Sequence, residues 1–227
     1  MKNTLFLLLT IGCMQAAAQE DGRMTINSIT RDSTALNRSV YHYPKWVPAH
    51  ILFNDDKVAT ARVNLNRITG NFLFINAGGD SLEFAAPQDI KYIAAAGDTF
   101  VYAKQSFLQK LTHYPGVNLY KRSLIKFTGK EKKGAYGVYS GTSASTSIDK
   151  VEGQYQQERI GVDANDVYAG ITDFFLSENG RQYLPASKKN IRKLFSEKEG
   201  LLDKYIENNK INYGQQEPLT RLLQYLQ

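Results

Sequence analysis

His42, His50 and His113 are the only imidazoles in a chain of 227 residues. None falls in a His-x-His or His-Glu-x-x-His spacing, the patterns that bring two ring nitrogens to one metal ion. Asn54-Asp55-Asp56 sets two carboxylates side by side. The alternating Asp-x-Asp-x-Asp-Gly spacing of a calcium loop does not follow, so the triplet reads as a turn. Glu83, Asp89, Asp163 and Asp166 offer the paired carboxylates of a glycoside hydrolase only if two of them meet across strands, which sequence does not specify. The hydroxyl run from Ser140 to Ser147 lacks the Gly-x-Ser-x-Gly elbow of a nucleophile and reads as a low-complexity loop. No glycine-rich phosphate loop precedes a helix. These residues predict a protein without a catalytic set, cofactor or metal.

What remains is chemistry of binding. Lys121, Arg122, Lys130, Lys132 and Lys133 form the most positive stretch, and together they suit an anionic surface such as lipid phosphate or an acidic glycan. A solvated, aggregation-resistant edge is the plainer account of the same lysines. Tyr41-His42-Tyr43-Pro44-Lys45-Trp46 is the densest aromatic cluster. It offers a stacking surface for sugars or peptides, or else a lead-in segment whose rings pack on a sheet edge, the reading preferred here. A third set, Phe72, Phe74, Leu82, Phe84, Tyr92 and Phe100, would line an apolar cavity if a curved sheet enclosed one.

The destination of the chain is written at its start. Lys2, then Leu5-Phe6-Leu7-Leu8-Leu9-Thr10-Ile11, then Ala16-Ala17-Ala18 is the order of an export signal over residues 1–18, with cleavage before Gln19. The apolar run is too short to span a bilayer. Cys13 follows Thr10-Ile11-Gly12, which gives a lipoprotein as the competing reading. It is the only cysteine, so cleavage after Ala18 removes disulfide and thiolate chemistry together. The formal charge is +6, and losing Lys2 lowers it by one. For an exported chain this balance disfavours nucleic acid and leaves an envelope component (protein, lipid or glycan) as the partner. No later stretch is long and apolar enough to cross a membrane.

The elements that must position any site begin with Val58–Tyr102. Ala59, Ala61, Val63 and Leu65 alternate with Thr60, Arg62, Asn64 and Asn66, which predicts a strand with one buried and one polar face. Phe72-Leu73-Phe74-Ile75 is apolar on both faces and predicts a strand covered on both sides. Turn residues separate further short strands through Tyr102, at Phe107–Leu111, Val117–Tyr120, Leu124–Phe127, Tyr136–Tyr139, Val167–Ile171 and Phe174–Leu176. Ser187 predicts an N-cap, Ser196 and Glu199 have capping-box spacing, and Pro218 suits a first helical position. Leu219, Leu222, Leu223 and Leu226 mark the apolar stripe of a last helix.

The expected fold class is therefore α+β: an antiparallel meander, as sheet or half-barrel, followed by two or three short helices. The expected organisation is a flexible arm over residues 19–40, a β domain over 41–184 and a helical segment over 185–227. With 42% hydrophobic residues there is material for a real core.

Residues 168–227 carry a resemblance. The hairpin Phe174-Phe175-Leu176…Tyr183-Leu184-Pro185, the helix Lys188-Lys189-Asn190-Ile191-Arg192-Lys193-Leu194-Phe195, the element Leu201–Asn212 and the final Leu219–Leu226 helix resemble uncharacterised exported envelope proteins of Bacteroidota. The resemblance implies an envelope or secreted location and no activity. The expectation is a non-enzymatic binding module of the envelope, with a periplasmic carrier of an apolar small molecule or lipid as the alternative.

Overall fold

The computed structural model describes residues 23–25, 40–113, 116–133, 139–142 and 166–226. Residues 1–18, expected as an export signal and including Cys13, lie outside them, as do residues 143–147 of the hydroxyl run and residues 136–138 of the expected returning strand. One antiparallel sheet holds every strand of the described residues. In chain order these are β1 (Arg23–Thr25), β2 (Val47–Phe53), β3 (Val58–Asn66), β4 (Asn71–Ile75), β5 (Ser81–Glu83), β6 (Ile90–Ala95), β7 (Asp98–Ala103), β8 (Ser106–His113), β9 (Asn118–Lys133), β10 (Tyr139–Thr142), β11 (Asp166–Ser177) and β12 (Leu184–Pro185). The path runs β1-β11-β9-β8-β7-β6-β2-β3-β4-β5, with β10 on β9 and β12 on β11. Three helices follow: α1 (Lys188–Leu194), α2 (Glu199–Asn208) and α3 (Gln216–Tyr225).

The sheet curls strongly. Phe72 on β4 meets Phe100 on β7 and Phe107 on β8 at ring-centroid distances of 5.0 and 5.1 Å, although β6, β2 and β3 lie between them in the path. Only a sheet wrapped around its own apolar face brings those rings together. The β3–β4 turn completes the wrap. Phe107 N donates to Gly70 O at 2.8 Å, and Ile125 N donates to Arg67 O at 2.7 Å. Gly70 has a φ of +75°, and a Cβ there would stand 2.7 Å from Ser106 Cβ and 3.1 Å from Leu124 Cδ2. Both the conformation and the close approach demand glycine.

The core inside the curl contains Ile51, Val63, Leu65, Phe72, Ile93, Phe100 and Phe107. A second core lies where the helices cover the sheet. Leu219, Leu222, Leu223 and Leu226 pack there with Ile191, Leu202, Leu119, Phe174 and Leu176. On the opposite face of the same strands, Leu108, Tyr120 and Phe175 form a third cluster capped by Tyr183. Strand alternation explains the division, since Leu119 and Leu176 face each other in register and so do their neighbours Tyr120 and Phe175.

Several local expectations change. Arg23–Thr25, within the arm expected to be flexible, pairs with Val167–Ala169. The single strands β9 and β11 replace pairs of expected strands, because they pair with each other from Asp166↔Lys130 to Ser177↔Asn118. Along β3 only Val63 and Leu65 of the apolar set are buried, while Val58 is 66% exposed and Ala59 is also exposed. Asn64 and Asn66, expected on a wet face, are buried. Of Phe72–Ile75 only Phe72 is fully covered. Ser187 does cap α1, accepting from Asn190 N at 3.3 Å. The Ser196–Glu199 capping box does not form: Ser196–Lys198 is a 3-10 turn, and α2 starts from Lys198 without a side-chain cap. α3 starts at Gln216, which puts Pro218 at its third residue.

Candidate functional site

The buried asparagines are explained by the lead-in segment. Asn64 Oδ1 accepts from Tyr43 N at 3.0 Å, and Asn64 Nδ2 donates to Tyr43 O at 2.8 Å. The side chain thus imitates a neighbouring strand and pins the segment over β3. Asn66 Oδ1 accepts from Ile68 N and shapes the β3–β4 turn. Tyr43 is buried, and its hydroxyl donates to Ala95 O or Asp98 Oδ2, each at 3.0 Å. The aromatic cluster therefore packs on the sheet, as preferred above. Tyr41 and Trp46 form a tilted pair at 6.1 Å.

His42, Tyr43 and Asp98 look like an acid–base set, and their geometry speaks for a structural role. Asp98 Oδ1 accepts from Gln109 Nε2 at 2.8 Å and Oδ2 from the Tyr43 hydroxyl. His42 Nε2 stands 3.8 Å from Asp98 Oδ2, beyond hydrogen-bond reach. Burial lowers the His42 pKa most. Asp98 acts against that shift, and Lys121 and Arg67 add to it. The space beside His42, bordered by Phe100, Gln109, Lys121 and Ser123, has no room for a water molecule. A substrate has no place there. Among the described residues no three of His, Cys, Asp and Glu gather into a metal-like group.

The open site lies elsewhere, where the sheet forks. β6 and β7 pair only over Ala95↔Asp98, Ala94↔Thr99 and Ile93↔Phe100. Both strands continue beyond Ile93 and Phe100 without facing each other: Ile90–Tyr92 stays with β2, and Val101–Ala103 stays with β8. The cause is a bulge. β2 and β6 match Leu52 with Tyr92 but Phe53 with Ile90, which leaves Lys91 as the extra residue. An extra residue bends its strand, here away from β7. Asn54 holds the bent end. Its backbone N donates to Asp89 O at 2.8 Å and its Nδ2 to Gln88 O at 2.9 Å.

The fork opens into a cleft of about 510 Å3, within the usual size range of small-ligand sites. Ile90, Lys91, Val101, Tyr102 and Ala103 line the parted strands, Lys104 stands at the β7–β8 turn, and Asn54 and Gln88 form one rim. Gly180, Arg181, Gln182 and Tyr183 form the other. Tyr183 fixes that rim by packing against Tyr120 at 5.0 Å. Three cations and three side-chain amides line the cleft, and no carboxylate does. Lys91 pairs with Asp56 at 3.1 Å, outside the lining. Lys104 and Arg181 are exposed and form no ion pair among the described residues.

Most residues singled out from sequence lie away from this cleft. Phe72 and Phe100 are core residues with no exposure. Phe74 and Phe84 stack on each other at 4.9 Å, and Leu82 sits opposite Phe74. Tyr92 is exposed. The six side chains do not surround one cavity. Lys121 and Arg122 are neighbours on a strand and so lie on opposite faces. Arg122 pairs with Asp173 at 2.6 Å, lies over the Phe175 ring at 5.1 Å and donates to Lys104 O at 3.5 Å, which touches the cleft wall. The backbone of Lys130, Lys132 and Lys133 pairs with β10. Glu83 accepts from Asn71, Asp89 is exposed on the 3-10 turn before β6, Asp166 pairs with Lys130 in the sheet, and Asp163 lies outside the described residues.

Sequence reading did not single out Asn54, Lys104, Arg181 and Gln182 as residues that line one cleft. Asn54 reads as a turn residue, Arg181 and Gln182 as the start of a returning strand, and Lys104 falls between expected strands, so no local pattern announces that they share a space. No helix among the described residues is long and apolar enough to cross a membrane. Comparison with known proteins finds no family model that matches the chain, and no curated protein or solved structure similar to it.

Proposed function

We propose that this chain is an exported, non-enzymatic binding module of the cell envelope, and that the forked cleft is its binding site for an anionic component. The observation that carries the reading is the lining: Lys91, Lys104 and Arg181 with Asn54, Gln88 and Gln182, and no acid among them. Lys104 and Arg181, which have no ion-pair partner among the described residues, attract and retain negative charge. The amides donate and accept, which suits a polar ligand rather than an apolar one. The rest of the framework supports recognition rather than turnover, since Asp98 spends its oxygens on Tyr43 and Gln109. The residue order at the N-terminus supports export.

The experiment is affinity capture from a detergent-solubilised envelope fraction, comparing the wild-type chain with a Lys104→Asn/Arg181→Gln double variant. Asn suits the positive φ of 53° at Lys104, so the charge is removed without new backbone strain. The proposal expects salt-sensitive capture by the wild type and at least a tenfold loss in the variant. Equal capture by both would refute it.

A further inference from the structure

The parted edge of β7 has a definite polarity. The β7–β8 hairpin turns on two residues, Lys104 and Gln105, both with positive φ. In such a hairpin the flanking pair, Ala103 and Ser106, exchanges backbone hydrogen bonds, and so does the pair two residues on, Val101 and Leu108. Tyr102 lies between them, so its N–H and C=O aim the other way, toward β6. Lys91 would face Tyr102 if the register continued, but the register stops at Ile93↔Phe100. The Tyr102 amide and carbonyl therefore open into the cleft. A strand edge bared in this way is a template for another strand. The bared stretch is three residues, roughly 10 Å long.

Charge narrows the occupant. Lys104 and Arg181 stand free beside the bared edge, and no carboxylate lines the space between the edges. We infer that the fork accepts an extended acidic peptide segment of a partner protein. The segment adds as a short strand against Tyr102, and its carboxylates meet Lys104 and Arg181. A glycan would use the charges and amides but has no alternating N–H and C=O to pair with the edge. This inference rests on the fork being the binding site and adds the class of ligand.

Fluorescence anisotropy with the purified chain tests it. The probes are a labelled, end-blocked hexapeptide of alternating glutamate and valine, two versions N-methylated at one or the other alternate set of amides, and labelled trigalacturonate. The expected result is saturable binding of the parent peptide. At least a tenfold loss is expected in one methylated version, and again with the Lys104→Asn/Arg181→Gln variant. Equal binding of both methylated versions, or binding of trigalacturonate in place of the peptide, would overturn the peptide inference and leave the cleft reading standing. Binding of neither anion would overturn both.

Discussion

Ile93 and Phe100 are the last residues at which β6 and β7 face each other, and the cleft begins beyond them, at Lys91 on β6 and Val101 on β7. Both are fully buried in the core inside the curled sheet. The cleft is thus rooted in fully buried core residues, while exposed cations stand at its border. Truncating Phe100 to alanine should cost about 3–5 kcal/mol, because it deletes a ring packed on Phe72 with nothing to refill the space. Chemical denaturation monitored by circular dichroism measures the loss.

Gly70 is the pivot of the curl. A Gly70→Ala chain must place a methyl group against Ser106 and Leu124 and adopt a φ that alanine disfavours. The expected cost is about 2–4 kcal/mol, summing an overpacking and a left-handed backbone penalty. Alanine at Gly79, whose Cβ would meet nothing within 4 Å, bears the backbone penalty alone and should cost less. Thermal melts of the two variants separate the contributions.

Asn64 is a polar residue buried for its hydrogen bonds. Asn64→Leu leaves Tyr43 N and Tyr43 O without partners inside the protein. Each stranded buried group costs about 1–3 kcal/mol. The same change on the exposed part of β3, at Thr60, should alter stability by under about 0.5 kcal/mol. Hydrogen exchange at the Tyr43 amide should speed up in the Asn64 variant and not in the Thr60 variant.

His42 makes stability depend on pH. Its pKa is lowered in the folded chain, chiefly by burial, so the unfolded chain binds the proton more readily. The contribution is complete above the ordinary histidine value of about 6.5 and shrinks as pH falls from there toward the lowered value. Asp98 opposes that shift and Lys121 and Arg67 reinforce it. Replacing His42 with glutamine should flatten this part of the stability–pH curve. A slope unchanged by the substitution would assign the dependence to other groups.

The fold was legible wherever one residue's burial follows from its own type. The leucine stripe of α3 and the Ser187 cap are of this kind, and so is the burial of Val63 and Leu65 on a strand. It was illegible where a distant segment decides. Asn64 and Asn66 look solvent-facing until residues 40–46 cover them. Lys104 and Gln105 carry a positive φ that only glycine or asparagine would have announced. The cleft depends on a single extra residue, Lys91, in a run that reads as regular strand. Arg181, which follows that stretch by ninety positions, lines the same cleft from the opposite rim, where Tyr183 packs on Tyr120. No local pattern encodes that meeting.

The most direct measurement is an amide-shift map of the labelled chain titrated with the acidic hexapeptide. Shifts are expected to cluster at Lys91, Tyr102, Lys104 and Gly180–Tyr183, with the Tyr102 amide moving most and with little change in the helices. Saturable shifts confined to α1–α3 or to the β4–β5 edge, with Tyr102 unmoved, would contradict it.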